Sequence, residues 1–212
     1  MLFLTHLLTT FPRWSYKPMK EHINDHAHSL IKQLNQRINA LRIVTRNASF
    51  QSRLLLANGS YLSKLIYLMQ LWGGAGEGLL SALQINQNKM MRIVTRSSWF
   101  TPTRVLLRRC NWLSVRQLVA YHTALLTHKI LVTGEPKYHH EKMCSSHHDH
   151  NTRTLVKFSD TFPGKTALTM SSFCYRGSKL HNRLPAELTH ITNLSLFKKK
   201  PKECLKQRYC NT

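Results

Sequence analysis

Apolar residues recur every three or four positions through most of this chain, and that spacing predicts helices. Ile23, Ala27, Leu30, Ile31, Leu34, Ile38 and Leu41 share one stripe of a helix that opens near Pro18 and ends around Arg46–Asn47. Ser49 is placed to cap a second helix reaching Trp72, with Gly59 as an interruption and Gly73–Gly74 as its close. A third helix runs from about Glu77 through LLSALQINQNKMMRIVTR to Arg96. Thr101–Pro102 pairs a capping residue with a first-turn proline, opening a short helix through Cys110. Ser114 and Gln117 fit a capping box for a fifth helix, whose Val115, Leu118, Val119, His122, Leu125, Leu126, Lys129 and Ile130 trace one face. Gly134 and Pro136 end it.

From Glu135 to Ser171 the periodicity gives way to a His- and Thr-rich stretch with Pro163–Gly164, which reads as loop with room for a short strand pair. Helical signals return in SKLHNRL (Ser178–Leu184) and from Ser195, where Pro201 predicts a kink or break. The expectation is a mainly α chain, a helical bundle of about five to seven helices with a partly irregular C-terminal annex. A strand-like leader occupies 1–13, the bundle 14–134, the loop 135–171 and the basic helical annex 172–212.

Composition makes that bundle unusual. A hydrophobic share of 42% supports a real core, but 31 Lys and Arg face 9 Asp and Glu, a formal charge of +22. Such a chain repels itself until an anion neutralises it. Nucleic acid is the commonest partner, with an anionic membrane surface and a merely solvated basic face as rivals. No apolar run reaches the ~20 residues that span a bilayer. Met1–Phe11 lacks a positive leading region, contains His6 and runs into Pro12–Arg13, so it does not read as a secretory leader. Five scattered cysteines read as reduced, intracellular thiols, and a nucleic-acid partner would place the chain in nucleus or cytoplasm.

The charge is not spread evenly. RIVTRNASF (Arg42–Phe50) returns as RIVTRSSWF (Arg92–Phe100), with six of nine residues identical, and both copies fall where one helix ends and the next begins. Two copies do not make a solenoid, so the same local job at two junctions is the better explanation. Arg42, Arg46, Arg53, Arg92, Arg96, Arg104, Arg108 and Arg109 gather at these junctions. Lys198, Lys199, Lys200, Lys202, Lys206 and Arg208 form a second basic run. Interleaved with aromatics, Gln and Asn, these residues suit phosphate contact and base stacking.

Catalytic chemistry finds little footing. The nine carboxylates are dispersed, and only Glu21 and Asp25 share a helical face, with His and Lys neighbours that suggest a solvated surface. LWGGAGEGLL lacks the Lys-Ser/Thr of a phosphate loop. Cys144, His147, His148 and His150 offer zinc ligands, but no second separated ligand pair accompanies them, so a polar loop is expected and no metal or other cofactor is assigned.

Several phrases, in order, resemble the downstream part of reverse transcriptases from non-LTR (LINE-type, Jockey-like) retrotransposons. They are FLTHLL, LIKQLNQRINALR, RLLLANGSYLSKLIYLMQLWGG, LSALQINQNKMMRIVT with its Gln-x-x-Gln-Asn-Lys helix, NWLSVRQLVAYHTALLTHKIL, DHNTR, SFCYRGSKLHNRLP and SLFKKKPKECLK. His181 stands where that family commonly has Trp, and Pro201 where a helix former is usual. The family's palm, with its Phe/Tyr-x-Asp-Asp pair and the Mg2+ it holds, has no counterpart here, since no two acids are adjacent. The resemblance therefore implies a thumb-like, non-catalytic part that grips an RNA–DNA duplex beside the remainder of the polymerase. A stand-alone basic RNA-binding module, and a translated relic without function, remain as alternatives.

Overall fold

A computed structural model describes residues 19–144, 170 and 172–207 of the 212. The described residues are mainly helical and contain no strand. The chain folds as α1 (Met19–Val44), α2 (Phe50–Leu56), a π-helical segment (Ala57–Leu62), α3 (Ser63–Ile66), α4 (Met69–Trp72), α5 (Glu77–Thr95), α6 (Thr103–Cys110), α7 (Val115–Thr133), α8 (Lys137–Cys144), α9 (Phe173–His181), α10 (Ala186–Thr189) and α11 (Leu194–Gln207). The leader 1–13 lies outside the described residues, as do His147, His148 and His150.

The stripe of α1 behaves as its spacing predicts, with Ala27, Leu30, Leu34, Ile38 and Leu41 all buried. It faces α5, and the two helices run parallel in register. Asn86 Nδ2 donates to Asn35 Oδ1 at 2.6 Å, and one end of the pair is closed by Arg96 donating to the Arg46 carbonyl. The separations of 51 and 50 residues match the repeat. The two similar words therefore lie side by side, at the same end of the bundle.

The second helix is interrupted around Gly59, as expected, where the chain widens into a π-helical turn; it departs from expectation in breaking again at Leu68, which adopts a left-handed φ of 53°. Ser60 Oγ and Ser63 Oγ bond back to the carbonyls of Leu56 and Gly59, which competes with the regular helical ladder. The widened turn brings Asn58 and Tyr61 to Trp112: Trp112 Nε1 donates to Asn58 Oδ1 at 2.8 Å, and the Tyr61 and Trp112 rings stack at 6.1 Å. Tyr61 is fully buried, and its hydroxyl donates to Asn86 Oδ1 at 2.8 Å. Tyr61→Phe should cost about 1–2 kcal/mol in a urea unfolding titration, because Asn86 keeps a buried acceptor with one donor gone. No change in midpoint would show that water replaces the hydroxyl there.

The Gln-x-x-Gln-Asn stretch of α5 is structural. Gln84 Nε2 donates to Gln87 and Asn88, Gln84 Oε1 accepts the Val115 N–H, and Gln87 Nε2 donates to the Leu113 carbonyl. Together with the Ser114–Gln117 capping box they satisfy the first turn of α7, whose backbone donors would otherwise be orphaned. At α6 the proline itself is the cap residue and the helix starts at Thr103, one position later than the Thr101–Pro102 signal suggests.

More than the predicted face of α7 is buried. Thr123, Ala124, Thr127 and His128 are covered, while Lys129 of the predicted stripe is exposed. The reason is tertiary: α4, α5, α9 and α11 all pack on this helix. The 135–171 stretch, expected to be loop, begins with α8. The α11 helix also continues through Pro201 instead of breaking. Pro201 is buried against α7, and Tyr121 Oη donates to the Lys198 carbonyl one turn upstream, so tertiary packing overrides the proline's local cost.

The α7–α9 seam is close and polar. A Cβ on Gly177 would collide with Thr127 Oγ1, so only glycine permits the approach. Thr123, Thr127, His128, Ser178 and His181 are buried around it, and the His128 ring stacks on Phe197 at 3.7 Å. Burial, with the His128 charge adding to it, pushes the His181 pKa down to about 4. Burial lowers that of His128 as well, against a smaller opposing influence from the Ile191 backbone.

Candidate nucleic-acid interface

The site is built on the paired ends of α1 and α5. In each copy of the repeat the threonine bonds back one turn, Thr45 Oγ1 to the Leu41 carbonyl at 2.6 Å and Thr95 Oγ1 to the Met91 carbonyl at 2.8 Å. Arginines flank each threonine, where a cation complements the negative end of the helix dipole. This is the shared local job of the two words.

The chain then distributes its arginines between structure and surface. Arg53 is only 7% exposed and is an internal strut: Nε donates to the Val94 carbonyl at 2.7 Å and Nη1 to the Ala48 carbonyl at 2.5 Å. It ties the two junctions together and has left the set of phosphate-contact candidates. Burial, and the Arg96 charge beside it, lower its pKa from the usual guanidinium value.

Arg42 and Arg46 are exposed one turn apart at the end of α1. Arg96, in a left-handed conformation with φ of 50°, stops α5 and reaches across to the Arg46 carbonyl. Arg109 comes in from α6, its Nη1 donating to Ser97 Oγ at 3.1 Å, while Arg92 lies over the Trp99 ring at 4.7 Å. Arg104 and Arg108, exposed one turn apart, extend the basic surface along α6. Lys198, Lys199, Lys200 and Lys202 are exposed on α11, which packs chiefly on α7 and not on the helices that carry the arginine cluster. Lys206 falls in the last turn of α11, and Arg208 lies outside the described residues.

On α1 and α5 the carboxylates stand away from this end. The sequence holds none between Asp25 and Glu77 or between Glu77 and Glu135. Asp25 belongs to the first turns of α1, and Glu77 opens α5, roughly 28 Å from its arginine end at 1.5 Å per residue. Glu77 pairs there with Arg116, both exposed. The ends of α1 and α5 that carry the repeated word thus hold arginines and no carboxylate, which makes this end of the helix pair a positive pole.

That pole is also apolar. Ile43, Val44, Leu55, Trp99 and Phe100 are exposed among the arginines. Sequence reasoning pointed to aromatics in general but not to these. The cue was present as the Trp-Phe ending of the second word, where the first has Ser-Phe. Of the chain's Asn and Gln residues, Asn35, Asn58, Asn86 and Gln87 form internal hydrogen bonds.

No group of His, Cys, Asp and Glu able to hold a metal ion occurs among the described residues. His139 Nδ1 lies 3.3 Å from Cys174 Sγ, and burial raises the thiol's pKa, which keeps it protonated and a poor nucleophile. Cys144 closes α8. No described helix is long and apolar enough to cross a membrane. Compared with protein-family models, with curated proteins and with solved structures, the chain finds no match in any of the three.

Proposed function

We propose that the arginine pole binds nucleic acid, gripping an RNA–DNA duplex through its phosphates as a thumb-like part of a retroelement reverse transcriptase. The observation that carries this is the pairing of α1 and α5, which gathers exposed arginines at one end, away from Asp25 and Glu77 on the same two helices. Guanidinium groups pair with phosphate oxygens through two parallel hydrogen bonds, and no carboxylate of α1 or α5 stands at this end to compete for them. The ordered phrases that resemble non-LTR reverse transcriptases supply the choice of duplex. Polymerisation, with its metal ions, belongs in this account to a palm outside the chain, and the chain itself performs no catalysis.

Phosphate binding releases condensed counterions, so affinity must fall with salt. With Arg42, Arg46, Arg96, Arg104, Arg108 and Arg109 each neutralising a phosphate, affinity for an RNA–DNA duplex drops by about a thousandfold between 50 and 200 mM salt. Fluorescence anisotropy with a labelled duplex measures this. Affinity independent of salt would remove the proposal. Tighter binding to single-stranded RNA than to the duplex would select a stand-alone RNA-binding module instead.

A further inference from the structure

The two copies of the repeated word differ mainly in the residues after the second arginine, and that difference has a structural result. After Arg46 the chain runs Asn47–Ala48–Ser49, Ser49 caps α2, and Phe50 enters the helix packed against the core. After Arg96 it runs Ser97–Ser98–Trp99–Phe100. There the Thr101 N–H bonds to the Ser98 carbonyl at 3.1 Å, closing a turn with Trp99 and Phe100 at its apex. Trp99 is 66% exposed and Phe100 90% exposed.

The apex is held firmly from behind. The Ser97 N–H bonds to the Arg92 carbonyl, Ser97 Oγ accepts from Arg109, and the Arg92 guanidinium covers one face of the indole. A protein gains nothing in stability by holding two large aromatics in water, and local backbone needs do not require them, since the first copy turns with Ala48 and Ser49.

Resting on the nucleic-acid reading above, we infer that Trp99 and Phe100 form a stacking platform for unpaired bases at the end of the bound duplex. A flat ring backed by a guanidinium and flanked by arginines matches a base joined to phosphates, and it matches no interior position of a duplex, where the base faces are already stacked. The occupant is thus a single-stranded extension of the duplex whose phosphates the arginines hold.

The test compares three ligands at one salt concentration: a blunt RNA–DNA duplex, the same duplex with a short single-stranded tail, and the same with an abasic tail of equal phosphate number. The wild type binds the tailed duplex about tenfold more tightly than the blunt or abasic-tailed one. Trp99→Ala abolishes the difference and leaves blunt-duplex affinity within about twofold, while Trp99→Phe keeps most of the preference. Both variants melt as the wild type does, because Trp99 lies outside the core. Equal binding of all three ligands overturns the platform and leaves the duplex site standing. An abasic tail as good as the normal one overturns it too, assigning the gain to phosphates. Equal weakening of all three ligands by Trp99→Ala makes the residue a structural one. Binding of none of the ligands overturns both the platform and the nucleic-acid site.

Discussion

Arg53→Ala lowers folding stability by about 2–4 kcal/mol, whereas Arg46→Ala, only a few residues away, changes it by less than about 0.5 kcal/mol. The sequence offers no reason for the difference, since both are arginines of one basic junction. The structure does. Arg53 donates to the carbonyls of Val94 and Ala48 from a buried position, and each charge-assisted bond contributes about 1.5–3 kcal/mol before relaxation. Its loss leaves two carbonyls to find water at the meeting point of α1, α2 and α5. Arg53→Lys recovers little, because one ammonium cannot span two carbonyls as a guanidinium fork does. Urea unfolding of the three variants decides the matter. An Arg53→Ala midpoint equal to that of wild type would mean that the strut is not what joins the two junctions.

Acid loosens the C-terminal helices from α7. His181 sits in the seam with its pKa pushed down to about 4, and that of His128 is lowered in the same direction. A histidine with a depressed folded-state pKa binds more protons when unfolded. Its neutral form therefore supports the fold fully above the unfolded value near 6.5, and this support is lost as pH falls from there toward about 4. For His181 the difference amounts to about 2–3 kcal/mol at the lower end of that window. The titratable neighbours across the seam reinforce the sign. His128 repels a charged His181, and Lys202 of α11, which acts on His122 of α7, adds no negative charge. His181→Gln should flatten the stability–pH profile between pH 6.5 and 4.5 relative to wild type. Parallel profiles for the two proteins would exclude His181 as the acid-sensitive group.

The helices themselves were legible because one face of each had to be buried. The α1 stripe, the Ser114–Gln117 capping box and the glycine that closes α7 all stand where spacing and end signals put them. What stayed hidden depends on contacts made far along the chain. Pro201 is a helix breaker until Tyr121 and α7 are packed against it. The face of α7 is ambiguous until α4, α5, α9 and α11 cover it. Residues 137–144 look like loop because their His, Glu and Lys content hides a short helix anchored by the buried Met143. The candidate site was legible as a list of arginines but not as a division of labour. No local signal separates Arg53, which faces inward, from Arg46, which faces out. The repeated word was the best clue, and its meaning became clear only when its two copies proved to be neighbours.

The central claim, that the arginine pole holds phosphates, is tested most directly by the salt dependence of a four-site variant. Arg42, Arg46, Arg104 and Arg108 are exposed, so replacing them together with Gln should leave the fold intact. Each phosphate contact removed makes the plot of log affinity against log salt shallower by about 0.9, so the variant's slope should lie about 3–4 below that of wild type in magnitude. An RNA–DNA duplex bound with wild-type affinity and an unchanged slope would contradict the account and move the anion site away from these helix ends.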